Sequence, residues 1–306
     1  MKKKYILAAA IGAIPLVLGH SLFNYVHQRG SSSLKSHPPQ FAANNSALVA
    51  MRKFQRLPQT TWSLMSGDGL RLVAYLTRNP QNRGTVLLIH GFGVDHHAMD
   101  KFAAVFYQLG YNILQPDNRA AGASAGRYSS YGYQEKKDVL LWLQRLQADR
   151  QLQVPIILMG ASLGAATVLQ SLTLSLPVAV KGVIADSSYT SAQEIMQYNI
   201  HRQTGLPSKG LTHLLSLWSR FKVQASYRQI SPLASVRGQH PSLLLICGQE
   251  DVTVPAWMSQ ALFEAASAPK MLVRFTTGSH IRSLEADPTA YRALIKQFVA
   301  HLSSFE

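Results

Sequence analysis

Cysteine is nearly absent from this chain of 306 residues: Cys247 is the only one. Its solitude excludes an intramolecular disulfide and a thiolate metal cluster. It closes the run SLLLIC and reads as a small buried hydrophobe. Acids are also scarce, with 15 Asp and Glu against 30 Lys and Arg and a formal net charge of +15. The first acid is Asp68, and eight Lys and Arg precede it. No helix carries a dense basic stripe and no nucleic-acid motif occurs, so nucleic acid is not an expected partner. The basic N-terminal region fits attraction to an anionic membrane surface or cell envelope instead. The H-x-H-x-D-H spacing of binuclear zinc hydrolases is missing too. The pair His96-His97, beside Asp95 and His90, is therefore placed near the start of a surface helix rather than on a metal. No metal and no cofactor are expected.

What is present is core-forming: 47% of residues are hydrophobic and 15% charged, a globular composition. The N-terminus, MKKKYILAAAIGAIPLVLGHSLFNYVHQRG, opens with three lysines, and Tyr5 to Gln28 carries no formal charge. The run has the length of a signal-peptide apolar region and, extended through Val26, of a membrane span. Residues 1–28 are expected to be a signal anchor, or a cleaved signal, that leaves the C-terminal part on the extracytoplasmic side of the cell membrane. Residues 29–58, with SSSLKSHPPQFAANNSA, read as a linker.

From residue 59 to 306 the pattern is that of one domain. TWSLMSGDGLRLVAYLTRN alternates around Gly67-Asp68-Gly69, a hairpin signal. TVLLIH, YNILQPD, PIILMG, VKGVIAD, PSLLLICG and KMLVRFTT are apolar strand runs separated by helical spacing. Strands alternating with helices imply a mostly parallel central sheet covered by helices on both faces, an α/β fold. Residues 187–240 break the alternation with two helix-like stretches, read as a small helical cap inserted before the strand that bears Asp251.

In such a sheet, ligands bind at the carboxyl ends of the strands. The polar residues there are His90, Asp117, Arg119, Ser162, Asp186, Asp251 and His280. Ser162 lies in Gly160-Ala161-Ser162-Leu163-Gly164, a G-x-S-x-G turn between strand and helix that holds up a nucleophile. Serine needs a base. His280, on the loop TTGSHIRS after the last strand, is the best placed of the eleven histidines. The base needs a carboxylate. Asp251 in GQEDVTVP is favoured, with Asp186 at the end of the preceding strand as its rival. The amides of Leu163 and of Phe92, in His90-Gly91-Phe92-Gly93, are the expected oxyanion donors.

Together HGFG, GASLG, GQEDVTVP and GSH resemble the oxyanion loop, nucleophile elbow, acid loop and histidine loop of the α/β-hydrolase superfamily. The resemblance covers residues 60–303. DNRAAGASAG is similar to the D-x-R-G-H-G-x-S-x-G segment of many members, with Ala120-Ala121 in place of Gly-His, so Asp117 and Arg119 are taken as structural. More narrowly, the chain is similar to bacterial membrane-anchored serine hydrolases close in fold to serine aminopeptidases and prolyl-oligopeptidase catalytic domains. The resemblance implies the α/β-hydrolase fold and acyl chemistry at Ser162 without a cofactor. A serine at the elbow argues against haloalkane dehalogenases and epoxide hydrolases. A carboxylesterase acting on a small acyl ester is the leading expectation. A peptidase taking short peptides, an acyltransferase and a non-catalytic binding module are the rivals.

Overall fold

The computed structural model describes residues 17–30, 41–152 and 155–303. The strands are β1 (Thr60–Met65), β2 (Arg71–Thr77), β3 (Thr85–Ile89), β4 (Asn112–Asp117), β5 (Ile156–Ala161), β6 (Val180–Asp186), β7 (Ser242–Gly248) and β8 (Lys270–Phe275). The helices begin with α1 (residues 17–27). They continue with α2 (Ser46–Phe54), α3 (Asp100–Gln108), α4 (Glu135–Ala148), α5 (Leu163–Ser171), α6 (Ala192–Thr204), α7 (Ser208–Lys222), α8 (Pro232–Ser235), α9 (Ala256–Ala265), α10 (Ser283–Ala286) and α11 (Pro288–Ser303).

The hairpin forms where the alternation predicts it, with Thr60 opposite Leu76 and Met65 opposite Arg71. One eight-stranded sheet runs in the order β1-β2-β4-β3-β5-β6-β7-β8. Only the pairings of β1 with β2 and of β2 with β4 are antiparallel. This is the α/β-hydrolase fold. Strand period two splits β3 cleanly. Val86 and Leu88 pack with Phe54, Phe102, Phe106 and Tyr291 of α2, α3 and α11 on one face. Leu87 and Ile89 pack with Trp142, Leu146 and Val168 of α4 and α5 on the other. Such two-sided burial is why the parallel strands read as continuous apolar runs. The chain between β6 and β7 forms the expected helical cap, α6 to α8. Ser191 caps α6 by accepting from the Glu194 amide at 3.1 Å, and left-handed Gly205 ends it.

Two expectations are corrected. The linker over residues 29–58 contains a core helix: α2 is capped by Asn45, and its Ala47, Ala50 and Phe54 are buried. Those three recur at helical spacing, a signal masked by the Ser- and Pro-rich residues before them; residues 31–40 lie outside the described residues. The pair His96-His97 is not simply on a surface helix. His96 is buried, stacked on Tyr75 with centroids 3.8 Å apart, and its Nδ1 is 2.8 Å from Asp117 Oδ1.

Residues 1–16 of the expected signal anchor also lie outside the described residues. Its remainder is α1, and α1 belongs to the folded domain. Among the described residues no helix is long and apolar enough to cross a membrane. Phe23 and His27 are fully buried. His27 Nδ1 lies 2.7 Å from the Ser129 carbonyl, and its Nε2 lies 2.7 Å from the Tyr227 hydroxyl. Nδ1–H therefore donates to Ser129, and Nε2 accepts from Tyr227, which fixes the neutral ring. Burial lowers the pKa of His27 to about 4, against a smaller opposing effect of the Ser129 carbonyl. The unfolded chain thus binds a proton between pH 6.5 and 4 that the native state refuses. Stability present above pH 6.5 is lost as pH falls through this window, by about 3 kcal/mol from this group alone. Thermal melts at pH 7 and pH 4.5 should show that loss in the wild type, and a clearly smaller one in His27→Gln.

Candidate active site

The carboxyl ends of β3, β5, β7 and β8 meet at one edge of the sheet, and the loops leaving them carry Phe92, Ser162, Asp251 and His280. At the end of β5 the chain turns straight into α5. Ser162 sits on that turn with φ +55° and ψ −117°, a strained backbone for a side-chain-bearing residue. The turn closes only because Gly160 and Gly164, two residues to either side, lack side chains. A Cβ on Gly160 would lie 2.2 Å from the Gly164 backbone, and one on Gly164 would lie 1.9 Å from the Ile89 carbonyl oxygen. Two hydrogen bonds hold the turn: Ser162 N–H donates to the Asp186 carbonyl at 2.9 Å, and the Ala166 amide to the Ser162 carbonyl at 3.0 Å.

His280 Nε2 lies 2.9 Å from Ser162 Oγ, and His280 Nδ1 lies 2.7 Å from Asp251 Oδ2. The three residues come from loops separated by 118 and 29 positions. Asp251 is itself fixed, because its Oδ1 accepts from the amides of Thr253 at 2.9 Å and Val254 at 2.8 Å. Its side chain is inaccessible to solvent, whereas that of His280 is 16% exposed. The acid and histidine loops touch at their glycines: a Cβ on Gly248 would meet the Gly278 carbonyl oxygen at 1.8 Å. The rival carboxylate, Asp186, faces elsewhere. It accepts from the Tyr291 hydroxyl at 2.8 Å and the Ser187 hydroxyl at 2.9 Å, and burial raises its pKa.

The HGFG loop closes the remaining side. A Cβ on Gly91 would stand 3.4 Å from Ser162 Cβ, so the loop backbone lies against the serine. His90, buried behind it, donates from Nδ1 to the Gly91 carbonyl at 2.7 Å and accepts at Nε2 from the Asn118 amide at 2.9 Å. Desolvation by burial lowers its pKa, consistent with a neutral ring that holds the loop. The Phe92 ring stacks on Tyr131 at 5.6 Å, while Leu163, first residue of α5, brings its amide next to Ser162. As expected, Asp117 and Arg119 are structural. Asp117 binds the His96 amide and ring and the Ala123 amide, and Arg119 pairs with Asp68 and Asp138.

Several supporting groups escape a reading of the sequence. Lys101, buried in α3, donates to both Glu285 carboxylate oxygens at 2.8 Å and to the Ile281 carbonyl next to His280. Nothing in the sequence links positions 184 residues apart. Tyr131 has φ +54°, and its loop is anchored by the buried Glu135 carboxylate, which accepts from the amides of Ser130 and Gly132. Among the described residues no group of three or more His, Cys, Asp or Glu could hold a metal ion.

Residues 80–237 match the sequence model of the serine aminopeptidase S33 family. That span includes Ser162 and the cap helices but neither Asp251 nor His280. An uncharacterized Bacillus subtilis protein, YqkD, is 23% identical over 297 residues, covering 97% of this chain and 95% of that one. Among solved structures, a Pyrococcus furiosus esterase superposes with a TM-score of 0.67 at 21% identity, over 86% of this chain and 97% of its own. A Pyrococcus horikoshii acylaminoacyl peptidase does so with a TM-score of 0.58 at 19% identity, over 82% of this chain and 43% of its own. At these identities the two structures share the fold with this chain.

Proposed function

Because the chain belongs to the serine aminopeptidase S33 family and has the α/β-hydrolase fold, we propose that it hydrolyses carboxylic esters of small acyl groups through Ser162, His280 and Asp251. One observation carries this reading: the unbroken pair of hydrogen bonds from Ser162 Oγ through the His280 ring to Asp251. Asp251 holds the tautomer in which Nδ1 carries the proton, leaving the Nε2 lone pair facing the hydroxyl. His280 takes the serine proton as Oγ attacks the carbonyl carbon. The charge that develops on the carbonyl oxygen is met by the amides of Phe92 and Leu163 and by the N-terminal end of α5. The protonated ring then gives its proton to the leaving alcohol, and an acyl-serine remains. Water, deprotonated by the same nitrogen, releases the acid and regenerates Ser162.

The acyl group is assigned to a cavity of about 170 Å³ between α1 and the cap, bounded by Leu22, Val26, Tyr131, Ile195, Met196 and Leu211; Ser162 does not line it, and the link to the site is Tyr131. Tyr131 forms its wall toward Phe92. A void of roughly 150 Å³ holds a benzene-sized group, so about six acyl carbons would fill this one. The family relationship favours a second reading, an aminoacyl-amide substrate. That reading would call for a carboxylate in the cap to meet a free amine. Glu194 is the one acid in residues 187–240, and its carboxylate accepts from the Thr190 hydroxyl at the start of α6.

Fluorophosphonate labelling followed by paired assays separates the readings. Ser162 should carry the label, turnover of p-nitrophenyl esters should peak near about six acyl carbons, and aminoacyl amides should be poor substrates. Efficient amide hydrolysis would favour the peptidase, and absence of label at Ser162 would overturn both. For location, the lysine-led apolar N-terminus supports a protein held at the cell membrane.

A further inference from the structure

Helix α1 and cap helix α7 lie against each other along a tight seam. A Cβ on Gly19 would fall 2.6 Å from Leu214 Cγ and 2.8 Å from Trp218 Nε1, and the His20 and Trp218 rings are 4.8 Å apart. Outside this seam the same two helices expose large apolar side chains: Val17 at 66%, Leu18 at 55%, Leu217 at 45% and Phe221 at 79%. Leu217 and Phe221 share one face of α7 at a spacing of four, and the Phe221 ring is 6.5 Å from Trp218. Single exposed hydrophobes are ordinary, but such a group on two packed helices is not.

The surroundings of the group are cationic. Arg220 and Lys222 are exposed on α7, and Lys222 Nζ sits 5.9 Å from the Trp218 ring centre. Residues 187–240 hold six Lys and Arg against the single acid Glu194. Moreover, α1 is described from Val17, a member of the group, and the sequence that precedes it, MKKKYILAAAIGAIPL, is apolar behind three lysines and free of acids. An apolar segment therefore joins the fold where exposed apolar residues gather within a basic rim. Leu and Phe side chains with Lys and Arg around them suit insertion into the headgroup region of an anionic bilayer.

We propose that the face formed by the start of α1 and the outer side of α7 docks on an anionic lipid surface, with Leu217 and Phe221 inserted and Arg220 and Lys222 against the headgroups. This rests on the membrane-side location proposed above and adds which face of the domain meets the lipid. It also keeps α1 on the cap while the protein sits at the bilayer.

The test is sedimentation of the full chain with vesicles of phosphatidylcholine alone or with about one-third phosphatidylglycerol, alongside turnover of a water-soluble p-nitrophenyl ester. The wild type should bind the anionic vesicles more tightly, and added salt should weaken the binding. Leu217→Glu/Phe221→Glu should bind them at least about tenfold more weakly while keeping its ester turnover. Arg220→Gln/Lys222→Gln, which leaves the apolar side chains in place, should lose the preference for anionic vesicles. Unchanged binding by both variants would overturn the docking face while leaving membrane attachment through residues 1–16 standing. If the protein is instead a concentration-dependent dimer that the first variant dissociates, the face is a contact between copies and the proposal falls. Membrane fractionation of expressing cells tests the location separately from the face.

Discussion

Ser162→Ala is expected to lower ester turnover by about 10³- to 10⁶-fold while leaving the protein folded. The size follows from the chemistry, because without the hydroxyl no acyl-enzyme can form. The residual rate would be what the oxyanion amides and substrate binding supply to a water attack. The fold should survive because the turn is held by the backbone, through the Ser162 amide to Asp186 and the Ala166 amide to Ser162, and by the glycines on either side. The hydroxyl itself contacts His280 at 2.9 Å, and its removal frees one ring nitrogen beside solvent. Circular dichroism should overlay that of the wild type, and p-nitrophenyl ester hydrolysis should fall to near the background rate. A variant that keeps full activity would remove Ser162 from the mechanism.

The second large effect is on stability and lies behind the histidine loop. Glu285→Ala would leave the Lys101 ammonium buried with the Ile281 carbonyl as its remaining partner among the hydrogen bonds described for it. Burial already pushes the Lys101 pKa down, and Glu285 is the main opposing influence. Removing one partner of such a pair costs about 3–5 kcal/mol, since an uncompensated charge stays in the interior. For a domain of this size the melting temperature should drop by roughly 10 °C. Lys101→Met/Glu285→Met, which removes both charges and keeps the volume, should recover much of that loss. Because Lys101 also holds the Ile281 carbonyl, and Ile281 has φ +52°, the single variant should additionally lower kcat through misplacement of His280. A thermal melt of each variant, with ester kinetics below the melting range, separates the two effects. A Glu285→Ala protein as stable as the wild type would show that the ammonium escapes to water or loses its proton at little cost.

Local sequence carried much of the architecture. Apolar runs buried on both sheet faces, helical spacing between them and the alternating hairpin are short-range patterns, and all survive in the sheet. The turn around Ser162 was equally legible, because Gly160 and Gly164 are required by contacts within five residues and with the neighbouring strand. Helix α2 was hidden for the opposite reason. Its apolar face has only Ala47, Ala50 and Phe54, and the polar stretch before it reads as linker. His96 was misread because its burial depends on Tyr75 of β2 and Asp117 of β4, both 21 positions away.

The sequence by itself determined the order of elements, the tight turn around Ser162 and the short set of polar residues that follow strands, because each of these rests on contacts between near neighbours. Only the tertiary structure decided which carboxylate faces His280. Asp186 ends β6 and Asp251 lies on the loop after the adjacent parallel strand β7, and the choice falls to loop amides that aim Asp251 at the ring and to Tyr291, 105 residues away, which turns Asp186 aside. Likewise only the packing enlisted α1, apolar enough to read as part of an anchor, as a wall of the cavity and a partner of the cap. Whether an apolar helix faces lipid or protein is set by complementary surfaces such as Leu214, Trp218 and Tyr227, and these come within reach only once the chain has folded.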